Sequence, residues 1–593
     1  MISGHKVQHG VDASANPALI QGRVLATDAI NRSFRGGIND TRPPFQLLNL
    51  IFDSSAERDL FELNRLTSLF GYNAVPPYTV SHIIATTGKY VWAGYFLGGN
   101  CYMQRIYSEL DDSLMLQYPV QGETILIINN GKTEPICWNG QTTSMGLCKD
   151  SKYIVNGNSI PIGNAAIYCH GRIFIATEDG TVYAGDHLYS QGITASDEVL
   201  LSFNESTYPV SGDGFTAPAE WGPLTGLSVI DRNPSTNGHG EIIVYHRNGA
   251  YSIDPIEDRS KWTQQPIQQT VFVGRGGASH TSINSANNDH FFRCNDKSVA
   301  SLKITIAERN NQFSDRPLSV EVQKYLDYDN SEMLLYSMSG SENGRVFFSV
   351  NHQYEKVGDI VHRFALGIVS LDLNRGSNSV TEHMSWDGLW TGPRITGMAD
   401  VHIASEHRCI FASFDSDHRN RLYILSPHRG DDIIPTGQRK IKGMYSFGNL
   451  FDGLAVDARE AQMTTIKNHA VLYSDCVGIA YVSAAYSPGY SSNWFQMYTG
   501  RQIGLKESDE NFLFDITSSA FKGDSACPTT ENSGRRSISS YVFAVRTEIE
   551  GSVIIRGNFL TGDQSAFNLS FEKSCDKESG YAIDSYNNFT YTF

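Results

Sequence analysis

The sequence predicts an all-β fold: a β-propeller, preceded by an extended arm with one short helix and followed by an antiparallel β-sandwich. Three observations carry this. From about residue 75 onward, short apolar or alternating runs recur between Gly, Asn and Asp, the pattern of strands joined by tight turns. No amphipathic helices separate them, which excludes a βαβ fold and leaves a barrel, a sandwich or a propeller. The run of strands is too long for one sandwich, whereas radially repeated sheets of roughly 50 residues fill it, six or seven of them.

The chain divides accordingly into 1–74 (arm and helix), 75–432 (propeller) and 433–593 (sandwich). Residues 1–55 hold Gly36-Gly37, Pro43-Pro44 and few periodic apolar positions, so they read as an extended arm. A helix is expected over 55–70. Ser54 or Ser55 caps it, Glu57 meets the helix dipole, Leu60, Leu63, Leu66 and Phe70 form a stripe, and Gly71 stops it. Strands are expected at 90–96, 124–128, 172–177, 181–184, 241–245, 250–253, 290–293, 333–337, 345–350, 367–373, 409–414 and 421–425. Glu178-Asp179-Gly180 and His246-Arg247-Asn248-Gly249 are hairpin turns, with Asn-Gly suited to positive φ. Further strands fall at 441–445, 454–457, 470–473, 478–484, 512–516, 537–546, 552–557 and 582–593, the last alternating aromatic residues at period two.

With 593 residues, 40% hydrophobic and 19% charged, the chain has globular rather than disordered composition. Its formal net charge is −16, which disfavours a tight electrostatic grip on DNA. There is no apolar run long enough to span a membrane and no apolar segment of signal-peptide type near Met1. Nine scattered cysteines (101, 137, 148, 169, 294, 409, 476, 527, 575) include no CxxC and no finger spacing, so free, buried thiols are expected in a protein made in a reducing cytoplasm.

No nucleophile elbow, Walker loop, HExxH or dinucleotide fingerprint occurs. Gly274-Arg275-Gly276-Gly277 opens no helix, so it is not read as a phosphate loop. Asp415-Ser416-Asp417 and Asp431-Asp432 lack the Gly and bidentate Glu of a calcium loop and read as solvated turn acids. The expectation is a non-enzymatic protein with no catalytic, cofactor-binding or metal-ligating residue and no cofactor. Trp386 and Trp390 flank a turn glycine and are expected to be structural.

Several segments, taken in order, resemble the tail nozzle or tail tubular protein B family of short-tailed DNA phages, which includes packaged-DNA stabilisation proteins. They are Ser33-Phe34-Arg35-Gly36-Gly37-Ile38 with Thr41-Arg42-Pro43-Pro44-Phe45; the strand and turn of 125–140; Pro161-Ile162-Gly163 with 166–174 and Ala184-Gly185-Asp186; the hairpin 241–253 followed by Trp262; and Phe291-Phe292-Arg293-Cys294-Asn295-Asp296, where Lys297 and Ala300 depart from the family's usual Gly and Arg. Trp386-Asp387-Gly388-Leu389-Trp390-Thr391-Gly392 is the most specific. Tyr486-Ser487-Pro488-Gly489 with Asn493-Trp494 lacks the family's acid. The resemblance covers roughly 30–500.

The resemblance implies a structural virion protein, made in the host cytoplasm and built into the phage tail. It implies a homo-oligomeric ring, most simply a hexamer, whose channel retains and then releases the genome. It also implies contact with an adjoining tail adaptor, with tail fibre or spike proteins, and transiently with double-stranded DNA, without membrane insertion. An acidic wall suits that role, because B-DNA carries about one negative charge per 1.7 Å and slides past a surface that repels it. Phe34, Pro43, Pro44 and Phe45 offer anchors by which the arm would strap to a neighbour. The rival readings are a tailspike depolymerase with converging carboxylates and a glycan-binding propeller adhesin with exposed aromatics such as Trp221 or Trp494.

Overall fold

The computed structural model describes residues 2–5, 10–14, 25–75, 80–113, 116–152, 154, 158–188, 197–204, 214–230, 240–255, 259, 262, 268–287, 289–303, 305, 317–374, 385–403, 406–448, 462–488, 494–503, 515–520, 538–540 and 543–566. The fold is mostly β, and the chain forms two compact units. One comprises 45–373 with 392–425; the other comprises 1–44, 374–391 and 426–593. The units are therefore cut at 44 and 425: the strands Phe45–Leu47 and Asn49–Ile51, within the expected arm, pair into propeller sheets, and 426–432 belongs to the other unit.

The first unit is the β-propeller. Five antiparallel sheets are self-contained blades. The first is made of Leu66–Tyr72, His82–Thr87, Tyr90–Leu97 and Asn100–Tyr107, with Asn49–Ile51 added parallel at its edge. Tyr118–Gly122 opens the second, Ala165–Cys169 the third, Leu224–Ile230 the fourth and Ile283–Ala286 the fifth. Two further meanders complete the ring. One runs through Ser339–Glu342, Arg345–Val357 and Ile360–Asp372. The other pairs 395–403 with Glu406–Phe414 and that with Asn420–Leu425, whose other edge takes Phe45–Leu47 from the start of the unit.

Burial explains why these strands stack as a ring. Each sheet has apolar side chains on both faces, so consecutive sheets share a core. Ile84, Ile128 and Trp138 join the first and second blades; Ile127 and Ile175 the second and third; Phe174 and Ile242 the third and fourth; Tyr245 and Phe292 the fourth and fifth. A cluster of Ile83, Trp92, Val401, Ile410 and Leu422 joins the last meander to the first blade and closes the circle.

Several expected elements differ. The helix is Ser55–Leu63, not 55–70. Ser54 caps it through the Glu57 N–H as expected, but the extended backbone of Asn64 ends it. Leu66 and Phe70 lie in a strand paired to His82–Thr87, so the apparent helical stripe spans two elements. Residues 333–337, expected as a strand, fall largely in the 3-10 helix Ser331–Tyr336, capped by the Asn330 side chain. Glu178-Asp179-Gly180 forms the expected hairpin turn, with Gly180 at φ 81°. His246 faces Gly249 across the expected turn, but neither Asn248 nor Gly249 takes the positive φ to which Asn-Gly is suited. The close approach that demands glycine falls at Gly276, where a Cβ would lie 1.9 Å from the His246 carbonyl oxygen. The glycine-rich 274–277 segment thus serves packing.

In the second unit, Gln462–Pro488 pairs with Phe543–Ala566 over most of its length, and Lys442–Gly448 adds to Phe543–Ala566. The separate strands expected at 470–473 and 478–484 are one bulged strand. Those expected at 454–457 and 582–593 lie outside the described residues.

The arm is part of this unit's core. Asp28–Ile30 pairs with Lys442–Gly448, and Phe34, Arg32 and Arg42 are fully buried. The Arg42 guanidinium grips Asp432 with two bonds of 2.9 and 2.8 Å and donates also to Asn31 Oδ1, Pro43 O and Thr391 O. Asp432 is therefore a buried ion-pair partner, not a solvated turn acid. Arg32 donates to Asn39, Thr41 and Val553 O, and burial pulls its guanidinium down to about 10. The 386–391 motif closes over the arm: Trp390 Nε1 donates to Arg32 O at 2.7 Å, and the Phe34 N–H donates to Asp387 Oδ1 at 2.8 Å. Gly388, at φ 88°, has its Cα so near Ala29 that a Cβ would sit 2.5 Å from the Ala29 carbonyl oxygen. Trp386 and Trp390 are both fully buried, the structural role expected of them.

Arg42→Ala should destabilise this unit by about 3–5 kcal/mol, because it removes the bidentate partner of a buried carboxylate. Urea denaturation followed by tryptophan fluorescence measures it; a change under about 1 kcal/mol would show that the pair does not support the fold.

Candidate functional site: the axial cavity

The innermost strands of several blades surround a cavity of about 580 Å³. Leu66–Tyr72 contributes Ser68 and Phe70, Tyr118–Gly122 contributes Tyr118 and Gln121, and Ile283–Ala286 contributes Asn284, with Asp400 from the last meander. Local structure places these groups because the first strand of each blade has its edge toward the axis.

The lining is polar and internally bonded. Gln121 accepts from the Asn73 N–H at 2.8 Å and donates to Asn73 O and Glu123 O. Glu123, held at φ 49°, accepts from the Tyr168 hydroxyl at 2.5 Å. Asp400 accepts from the Ser341 N–H and hydroxyl and from the Asn284 amide. His280 Nδ1 accepts the Leu227 N–H, so that nitrogen carries no proton. Burial pushes the Tyr118 hydroxyl up to about 12. Such a lining can bind water or a polar surface; its carboxylates are already engaged by donors, and no nucleophile is paired with a base in it.

The sequence reading missed a buried network behind this wall. Arg293 Nη2 binds Asp329 Oδ2 at 2.8 Å, Asp329 Oδ1 binds His352 Nδ1 at 2.8 Å, and His352 Nε2 lies 2.9 Å from Ser349 Oγ. Burial would push the Asp329 carboxyl up, but the His352 contact and the Arg293 guanidinium outweigh it and hold it below its usual range. The Ser-His-Asp order has the distances of a nucleophile triad. Ser349 is nevertheless fully buried, and its hydroxyl is committed to Met338, accepting from the N–H at 2.8 Å. Only Arg293 was singled out in the sequence, as part of 291–302; Asp329 and His352 sit in segments with no motif.

The other flagged residues are dispersed. Asp415 accepts from Tyr423 and Ser413 within its own turn, and Asp417 pairs with Arg421 at the surface. Trp221 is buried against His246 and offers no open stacking face; Trp494 is partly buried, with one face covered by the Arg546 guanidinium. Among the described residues no three His, Cys, Asp or Glu side chains converge to hold a metal ion. The described cysteines are free, most of them buried; Cys527 and Cys575 lie outside the described residues.

No family model matches the chain, and no curated protein sequence matches it. Solved structures similar to it include the WD40 repeats of RRP9 (9% identity, 65% of this chain and 99% of that chain, TM-score 0.36). The β-propeller domain of Cps50 (Swd1) from Myceliophteria thermophila is similar at 10% identity over 61% and 97%, TM-score 0.34. Sqt1 of Saccharomyces cerevisiae is similar at 10% over 64% and 99%, TM-score 0.32. No functional argument follows from them.

Two predictions follow from the buried groups. A fluorophosphonate probe should leave Ser349 unlabelled in the folded protein; stoichiometric labelling at Ser349, read by peptide mass spectrometry, would reveal an open nucleophile. His362 stacks on Phe414 with ring centres 3.8 Å apart. Burial, helped by the nearby Arg65 charge, pulls its imidazole down to about 4. A folded-state value below the unfolded 6.5 means that its contribution is complete above pH 6.5 and is lost as pH falls toward 4, in total on the order of 2–3 kcal/mol. In His362→Phe, melting temperature should fall less between pH 6.5 and 4 than in the parent; identical pH profiles would contradict this.

Proposed function

We propose that the protein is a structural virion component, the subunit of a phage tail nozzle ring whose channel holds and then passes the genome. The observation that carries this reading is the meeting of the two most informative motif segments. Residues 31–42 and 386–391, far apart in sequence, are bonded to each other through Phe34, Asn31, Arg42 and Trp390. Segments that carry a family resemblance and also form one buried knot are the parts a family must keep together. The propeller fold and the −16 charge agree with a ring wall that repels the phosphate backbone and lets it slide.

In this reading the ring is a homohexamer, closed by heterologous contacts between identical chains. It docks on a tail adaptor, carries fibres or spikes, meets DNA without sequence preference and performs no catalysis. Among the described residues no helix is long and apolar enough to cross a membrane. One part of the expectation changes. Phe34 and Phe45 are buried within this chain, Phe45 edge-on against Phe411. They are not free anchors for a neighbour, and ring contacts fall to other surfaces.

Mass photometry of the purified chain, alone and with virion-derived tail adaptor, followed by two-dimensional classification of negatively stained particles, tests the proposal. Sixfold rings with a central channel are expected on the adaptor. Three copies per tail, or turnover of host capsule by the isolated chain, would replace the nozzle with a spike.

A further inference from the structure

Beside the axial cavity, and sharing Gln117 and Thr281 with it, the propeller unit contains a second cavity of about 70 Å³. It has room for on the order of five waters. Arg65, Gln117, Tyr336, His352, Arg363 and Thr396 supply its polar wall, and no Asp or Glu lines it. Two guanidinium groups thus face one small space with no carboxylate in its wall. The Arg363 guanidinium carbon lies 3.8 Å from the centre of the Tyr336 ring, which fixes its plane. Arg65 Nη2 donates to Asp112 O at 2.6 Å. Burial, with the Arg363 charge next in size, pulls the Arg65 guanidinium below its usual value.

The Thr67 and Thr281 hydroxyls of the wall are bonded to Thr86 and to Ser337 O, but several other polar atoms are unsatisfied. Gln117 is 2% exposed, and neither its amide nitrogen nor its amide oxygen makes a hydrogen bond. The Thr396 hydroxyl and Arg363 Nη1 are buried and likewise unbonded. His352 is not free to contribute, since both ring nitrogens are held by Asp329 and Ser349. Leaving a buried donor without an acceptor is unfavourable. Several such donors around one cavity, with two positive charges and no acid, define a built site for a negatively charged acceptor.

We propose that this cavity binds one small oxyanion of the phosphate or sulfate class. Arg363 and Arg65 supply the charge, and the Gln117 NH₂ and Thr396 hydroxyl donate to its remaining oxygens. The bound anion relieves the repulsion between the two guanidinium groups and bridges the first blade, through Arg65, to the last two meanders, through Arg363 and Thr396. The inference stands on this wall alone and is independent of the nozzle reading.

The test uses the full chain, dialysed free of oxyanions. Melting temperature is recorded against inorganic phosphate, sulfate and chloride at matched ionic strength, with isothermal titration calorimetry using phosphate. The expected result is a saturable rise of about 3 °C with phosphate or sulfate and none with chloride. Arg363→Met abolishes this rise. Gln117→Leu folds as well as the parent, because it deletes two unpartnered buried atoms, and weakens phosphate binding about tenfold. A water-filled cavity would show no anion-specific rise and no calorimetric heat. A rise left unchanged in Gln117→Leu and Arg363→Met would place the anion elsewhere. Either outcome overturns the proposal.

Discussion

The second unit depends on the burial of two arginines. Arg32 and Arg42 lie among apolar strands with essentially no exposed surface, where an uncompensated charge would be intolerable. The fold answers with geometry. The planar fork of Arg42 meets Asp432 in a bidentate pair, and its remaining donors reach backbone or amide oxygens. Among the described residues Arg32 has no carboxylate in hydrogen-bond contact; it is held by Asn39, Thr41 and carbonyl oxygens. Such a network tolerates few alternative arrangements, since each half-satisfied version strands a charge. It therefore fixes the path of 31–42, the turn at Gly388 and the position of Asp432 together. That is why an arm with little apolar content of its own is an integral part of the core.

The propeller rests on a different constraint, the closure of a circle of sheets. Apolar clusters join the first five blades one to the next, and the circle is complete when the last meander meets the first blade around Trp92 and Val401. The short strand Phe45–Leu47, paired with Asn420–Leu425, ties the start of the unit to its end. Polar groups gather where the strand edges converge on the axis. There, hydrogen bonding among Gln121, Asn73, Glu123 and Asp400 replaces apolar packing.

The sequence revealed what depends on local pattern. Hairpins such as Glu241–His246 with Gly249–Ile253 were legible because β-branched runs end at sharp turn residues. The burial of Trp386 and Trp390 was legible from the glycine between them. The length of the first helix was not, because Leu66 and Phe70 satisfy both a helical stripe and a strand's alternation, and pairing with His82–Thr87 decides between them. Asp432 looked like a turn acid because its partner is 390 residues away. The Arg293-Asp329-His352 network and the orphaned Gln117 were invisible for the same reason. Their chemistry comes from convergence across blades, and neither spacing nor composition encodes it.

The arm belongs to the fold of the single chain, where 31–42 and 386–391 form one buried knot. Residue-resolved hydrogen exchange on the isolated chain tests this directly. The Asn31 N–H bonds Leu389 O, the Phe34 N–H bonds Asp387, and the Arg42 N–H bonds Asn31 O. These amides should exchange as slowly as those of Lys442–Gly448, the strand against which Asp28–Ile30 lies. Exchange at the rate of an unstructured chain in 31–42, with Lys442–Gly448 still protected, would show that the arm orders only on contact with a neighbour, and would contradict the account.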